Sequence, residues 1–333
     1  MSSDRGGSLA FVLRALAYRN YRLFFGGQVI SLLGTWITTT ATNWLVYRLT
    51  GSALLLGVVG FAGQFPAFLL GPVAGVFVDR HDRHRLLVAT QTVSMLQSFA
   101  LAALTLSGHI TVGWIIALSV VQGMVNAFDM PTRQAFLITM IERREDLGNA
   151  IALNSSMVNA ARLIGPTIAG FVIAASSEGW CFLFDGISYV AVIIALLRMR
   201  DVRSAAPAVG RGSARAQLAE GLRYAFGFGP IRSIILLLAV VSLVGVPYSV
   251  LMPVFATDVF HGGPHTLGFL MTAAGCGALV GALWLASRRS VRGLSRIIPI
   301  ATSIFGGGLI LFSFAAVFWL ALSFIIVGSG FLK

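Results

Sequence analysis

Charge is the scarcest property of this sequence. Of 333 residues only 11% are Asp, Glu, Lys or Arg, whereas 57% are hydrophobic and the mean hydropathy is +0.86. A soluble domain carries about 25% charged residues, so this chain cannot cover a water-facing surface of its size. Cysteine is nearly absent. Cys181 opens one apolar run and Cys276 sits in a Gly-rich one, which excludes a disulfide framework and leaves both as small packing residues. Twelve acidic residues face 24 basic ones, a net charge of +12. The arginines are scattered through short connections, so no continuous basic face is offered to nucleic acid. Signals for catalysis are missing too. The sequence has no phosphate loop, no H-E-x-x-H and no G-x-S-x-G, and its five histidines lack metal-ligating companions. The run Gly275-Cys276-Gly277 to Gly281 has a final spacing one residue too long for a dinucleotide fingerprint, with no strand before it. The sequence therefore reads as neither an enzyme nor an ATP-driven pump, with no cofactor and no metal.

What the chain has is long apolar runs. Windows of about 20 apolar residues predict spans near 22–47, 53–78, 85–107, 110–138, 147–174, 179–198, 231–258, 265–287 and 295–314, with a last run from 316. In hydrocarbon every backbone amide must be satisfied within its own segment, so the spans are helices. The fold class is an all-α polytopic membrane protein. Twenty-two of the 24 basic residues fall before the first span or after even-numbered spans; Arg48 lies in the opposite connections and Arg162 within a span. The positive-inside rule places the N-terminus in the cytoplasm. Met1 to Tyr21, with Arg5, Arg14 and Arg19 and no small-residue cleavage site, reads as a short interfacial helix rather than a removable signal.

The longest connector is rich in Ala, Gly, Arg and Pro and divides the chain into 1–198, a cytoplasmic linker 199–230 and 231–333. Within it, Ala214 to Phe226 has the pattern of a surface amphipathic helix. A shift of 211 positions superposes Ser31-Leu32 on Ser242-Leu243, Gly34 on Gly245, Leu56-Gly57 on Leu267-Gly268, Ala67 on Ala278 and Arg85 on Arg296. Two related halves are expected. The second has Ser290 where the first has Asp79.

Between the second and third spans lies G-V-F-V-D-R-H-D-R-H-R, Gly75 to Arg85. One charge at the bilayer centre costs roughly 3 kcal/mol or more, so this cluster must be a turn at the membrane surface. Gly75 is expected to let two helices approach closely, and Asp79 to face the N-terminus of the third helix. Asp129, some 19 residues into a span that starts outside, is carried roughly 28 Å to near the inner surface. The spacing of Gly75, Asp79, Arg80, Arg83 and Arg85 resembles the signature loop of major facilitator superfamily transporters. That resemblance implies a charge relay of Asp79, Arg83 and Asp129 that holds the two halves together when the inner side is closed.

Arg162 is the intramembrane cation, near mid-span in N-A-A-R-L-I-G-P. A buried guanidinium needs a partner or a hydrated cavity. Asp185 on the next helix is the candidate partner, and both a structural ion pair and a role in binding substrate or protons stay open. Asn159, Asn43 and Gln64 are further candidates for a hydrated path. Pro166 bends its helix, and Gly165, Pro166 and Gly170 resemble the fifth-helix Gly-Pro motif of exporters in this superfamily, with Ala169 at a usual Gly position.

With G-T-W-I (34–37), W-L-V-Y-R-L-T-G-S (44–52), D-M-P-T-R-Q (129–134) and A-R-L-I-G-P (161–166), the chain resembles the branch containing the enterobactin exporter and macrolide efflux proteins. The resemblance implies the major facilitator fold, with two helical bundles and about 10 of the usual 12 helices present, and hence a C-terminal truncation. It implies a monomeric bacterial inner-membrane exporter of small amphipathic molecules, exchanged for protons. An importer or lipid-moving relative, or a non-transporting remnant, are the alternatives.

Overall fold

The computed structural model describes residues 13–200, 214–229, 231–233, 235–237, 239, 247–286, 294–314 and 317–330. The repeat positions Ser242, Leu243, Gly245 and Ser290, and Arg5, Arg203, Arg211, Arg288, Arg289, Arg292 and Lys333, lie outside the described residues. A single 3-10 turn, Arg14–Ala17, precedes six long helices: α1 (Arg19–Thr50), α2 (Ala53–Arg80), α3 (Arg83–Leu106), α4 (Val112–Thr139), α5 (Arg144–Ala175) and α6 (Glu178–Leu197). The connector holds α7 (Ala214–Gly227). Short helical turns at Pro247–Val250, Met252–Val254 and Phe255–Val259 lead to α8 (Pro264–Ala286), α9 (Leu294–Ser313) and α10 (Phe318–Gly330). Among the described residues α2 to α6 are each long and apolar enough to cross a bilayer. They tolerate Pro66, Pro72, Pro131 and Pro166 in their interiors, as membrane helices do where neighbours satisfy the freed carbonyls.

Turn chemistry sets the helix ends. Gly51 (φ 58°) and Gly108 (φ 75°) take the left-handed conformation just past α1 and α3, where a side chain would be strained. Ser52 Oγ accepts from the Leu55 amide at 3.3 Å, Asp82 Oδ1 from the Arg85 amide at 3.0 Å, and Thr111 Oγ1 from the Trp114 amide at 3.4 Å. These caps open α2, α3 and α4.

By backbone contacts the chain groups into two compact units that interleave in sequence. One comprises Met1–Gly34, Val58–Val158 and Phe182–Gly227; the other comprises Thr35–Gly57, Asn159–Cys181 and Phe228–Lys333. In the first unit Tyr21, Phe24, Leu87, Phe136, Val192 and Leu196 form the buried core. Its N-terminal segment is clamped onto the start of α5. Arg14 Nε lies 3.0 Å from Asp146 Oδ1, the Tyr18 hydroxyl donates to Asp146 Oδ2 at 2.7 Å, and Asn149 Oδ1 accepts from the Ala15 amide. By accepting that hydroxyl's hydrogen bond, Asp146 favours the neutral phenol and raises Tyr18 above its ordinary pKa. The interfacial helix expected over 1–21 is thus one 3-10 turn within the described residues. In the second unit α8 and α9 both pack on α10, and Gly308 lies against Gly328. Leu56 and Leu267, paired by the repeat, are both fully buried.

Candidate functional site

The loop of Gly75 to Arg85 is two ends of helix joined by a two-residue turn, and it corrects two expectations. Asp82, not Asp79, caps α3, because the turn brings residue 82 to the N-cap while Asp79 remains inside the last turn of α2. Asp79 instead pairs with Arg83 at 3.6 Å, with its side chain 61% exposed. Around Gly75 a methyl group would meet nothing within 4 Å among the described residues. The close approach of α2 lies further back, where a methyl on Gly123 of α4 would come 2.5 Å from the Gly63 carbonyl. Arg80 and Arg85 are exposed.

Asp129 is 4% exposed. Its Oδ1 accepts from Thr90 Oγ1 at 2.9 Å and Gln91 Nε2 at 2.7 Å, and its Oδ2 takes the Arg133 guanidinium one turn along α4. The resemblance linked Asp129 to Arg83. Here Arg83 pairs with Asp79 and Asp129 with Arg133. The i,i+4 spacing in D-M-P-T-R was the signal for the second pair, since neighbours four apart share a helix face.

The groups holding Asp129 belong to a polar face of α3. Thr90, Gln91, Ser94, Gln97 and Ser98 are all buried there. At its far end Ser98 Oγ donates to Asp185 Oδ2 at 2.8 Å, and Asp185 is 2% exposed. A glycine is required opposite. A methyl on Gly34 of α1 would come 2.5 Å from Asp185 Oδ1 and 2.8 Å from Ser188 Oγ.

The second unit holds Arg162. Its guanidinium carbon lies 5.4 Å from the centre of the Trp36 ring, a cation–π contact. Tyr248 lies beside it, and Arg162 Nη1 is buried without a hydrogen-bond partner among the described residues. One turn on, the Gly-Pro motif packs against α8. Pro166 has no N–H to give the carbonyl four residues back, and that carbonyl, of Arg162, lies where a methyl on Gly275 would be 3.2 Å away. Gly268 faces the Pro166 carbonyl and Gly170 the Pro264 carbonyl. Thr272 Oγ1 donates to the Leu163 carbonyl at 3.0 Å and lies 2.6 Å from Thr167 Oγ1. Gly170, Gly268 and Gly275 therefore let two helices touch backbone to backbone.

The other candidates divide between the units. Gln64 lies exposed on α2 in the first, and Asn43 and Asn159 lie half-buried on α1 and α5 in the second. Sequence reasoning did not anticipate two contacts of the second unit. The Tyr47 hydroxyl donates to Asp258 Oδ2 at 2.5 Å, and Arg48 makes a two-pronged pair with Glu178 at 2.7 and 3.0 Å. A cavity of about 440 Å³ lies there, lined by Trp44, Tyr47, Arg48, Gly51, Thr257 and Asp258. Arg48 was visible as the lone arginine among outward connections; its partner, 130 residues away, was not.

The family described as transmembrane secretion effector matches residues 12–332. The Staphyloferrin A transporter of Staphylococcus aureus is 28% identical over 286 residues, 86% of this chain and 71% of that protein. Macrolide efflux protein A of Streptococcus pyogenes is 22% identical, over 88% of this chain and 73% of its own. The multidrug efflux pump Tap of Mycolicibacterium fortuitum is 28% identical, over 75% and 62%. Among solved structures, a nucleoside transporter superposes with a TM-score of 0.69 at 13% identity, covering 96% of this chain and 80% of that one. A bacterial homologue of the human lysosomal transporter Spinster gives 0.65 at 16% identity, covering 95% and 74%. This chain belongs to the transmembrane secretion effector family of the major facilitator superfamily of membrane transporters.

Proposed function

We propose that this transporter exports small amphipathic compounds, of drug or siderophore type, in exchange for protons, by alternating access in a bacterial inner membrane. The observation that carries this reading is the seal in the second unit. There helices from the first part of the chain are held to α8 and the turn before it through Gly170 and Gly268, Thr167 and Thr272, and Tyr47 and Asp258. Glycine contacts and single hydrogen bonds make a seal that can part without unpacking a core.

In this reading the seal is the closed outer gate. The loop of Gly75, Asp79, Arg80, Arg83 and Arg85, with Asp129, is the inner switch between bundles 1–198 and 231–333, joined by the linker 199–230. The arginine distribution supports a cytoplasmic N-terminus, and Arg162, Asn159, Asn43 and Gln64 are the residues assigned to the path of the cargo. The relatives named for macrolide and multidrug efflux support the direction. The working form is a monomer.

The test is expression in an efflux-deficient bacterium, with accumulation of a macrolide and of a cationic fluorescent dye measured with and without an uncoupler. Lower accumulation that the uncoupler restores is expected. Raised accumulation would indicate an importer, and unchanged accumulation of both probes would remove the drug-export reading. A cysteine at His109, in place of the native two, should react with an impermeant maleimide from outside.

A further inference from the structure

We propose that the polar face of α3 carries a buried file of water between Asp129 and Asp185, and that Asp185 is the carboxylate that takes up the proton. This rests on the proton-coupled reading above and adds the acceptor and its route.

The file is built into one unit. Thr90, Gln91, Ser94, Gln97 and Ser98 recur at helical spacing and are all buried, so from Thr90 to Ser98 they run about 12 Å along the helix. Each end meets a buried carboxylate, Asp129 through Thr90 and Gln91, and Asp185 through Ser98. Midway, Gln122 Nε2 donates to Ser94 Oγ at 3.2 Å and to Asn126 Oδ1 at 3.1 Å. The amides are only half used. Among the described residues Gln91, 1% exposed, has no partner for Oε1, and neither has Gln122 Oε1. Gln28, also 1% exposed, has none among them for either amide atom. Along α1 it falls between Gly27, which lies on Val192 of α6, and Gly34, which lies on Asp185. Buried amides without a protein partner take ordered water, and about four steps of 2.8 Å cover the length.

Ser98 supplies the switch. Its hydroxyl has two acceptors, Asp185 Oδ2 at 2.8 Å and Gln97 Oε1 at 3.3 Å, and one proton to give. While Asp185 is ionised, Ser98 donates to it. When a proton arrives from the file and binds Oδ2, the new O–H donates to Ser98 Oγ, and the Ser98 proton turns to Gln97. No bond but O–H forms, and the proton leaves by the reverse route or to the other side.

Around Asp185 the first unit places Ser98 and Gln97 from α3, Gly34 from α1 and Ser188 from its own helix. Tyr189 follows one turn along α6. The charged groups of α1, α3 and α6 sit in their terminal turns, Asp129 and Arg133 close the far end of the file, and Arg162 is the intramembrane charge of α5.

The experiment is pH-difference infrared spectroscopy of the purified full chain in lipid nanodiscs, which needs no substrate and so is independent of the efflux assay. A protonated carboxylic-acid band that grows as pH falls is expected. It should be lost in Asp185→Asn, kept in Asp129→Asn, and shifted to higher frequency in Ser98→Ala, which removes its hydrogen-bond partner. Gln91→Leu should slow its appearance after a pH jump several-fold without moving its midpoint. A wild type with no such band, or a band that survives Asp185→Asn, overturns Asp185 as the acceptor. An unchanged rate in Gln91→Leu overturns the route. If Asp185→Asn does not fold, the Ser98→Ala shift decides.

Discussion

Adding one methyl group at Gly268 tests the closed gate. In Gly268→Ala the new carbon would lie 2.7 Å from the Pro166 carbonyl oxygen and 3.4 Å from the Gly170 Cα. Ordinary carbon–oxygen contacts begin near 3.3 Å, so α5 and α8 must part by roughly 0.6 Å. Both obstacles are backbone, which cannot swing aside as a side chain would. Overpacking of this kind costs about 1–3 kcal/mol. In the proposed cycle an outward-open form has already broken this contact, so the cost falls on the closed form alone and shifts the equilibrium by about 5- to 150-fold. The readout is a Thr167→Cys reporter in a chain without Cys181 and Cys276, because Thr167 lies at the same seal. Labelling by an impermeant maleimide should accelerate by a factor in that range when Gly268→Ala is added, and the melting midpoint should fall. Unchanged labelling and unchanged melting would show that this contact does not hold the gate shut.

Three further outcomes follow from the geometry. Asp129→Ala leaves Arg133 and the Gln91 amide without their acceptor, and it should destabilise the protein by about 3 kcal/mol, since the carboxylate side of the pair is buried; a thermal shift in detergent measures this, and a wild-type midpoint would contradict it. Asp79→Asn removes an exposed pair worth at most about 1 kcal/mol, so stability should hold while turnover falls more than affinity; a changed affinity at unchanged turnover would contradict the switch role. Arg162→Ala should abolish transport and leave membrane insertion intact, because the guanidinium stacks on Trp36 beside Tyr248; wild-type flux would remove Arg162 from the mechanism.

Much of the fold was legible because a bilayer leaves a chain few options. The predicted spans 53–78, 85–107, 110–138 and 179–198 each fall within about two residues of α2, α3, α4 and α6 at both ends. Hydrophobic length and the glycines at 51 and 108 set those limits locally. The candidate site was legible only where a motif is local. Gly165, Pro166 and Gly170 could be read as a bend and a close-packing surface, but their partners Gly268 and Gly275 lie about 100 residues on. In the loop the sequence pointed to Asp79 as the residue facing the third helix, and Asp82 takes that place. Asp79 and Asp82 differ by less than one helical turn, and which of them meets the α3 amides depends on where α2 stops.

By itself the sequence determined that the chain crosses a membrane repeatedly. That depends on the count of apolar residues in each run, which is additive along the chain. Pairing is not additive. That Asp129 takes Thr90 and Gln91, that Asp185 takes Ser98, that Tyr47 reaches Asp258 and that Arg162 lies over Trp36 were decided by helix rotation and depth. An oxygen and a nitrogen must come within about 3 Å to bond, and only the packed helices fix positions that finely.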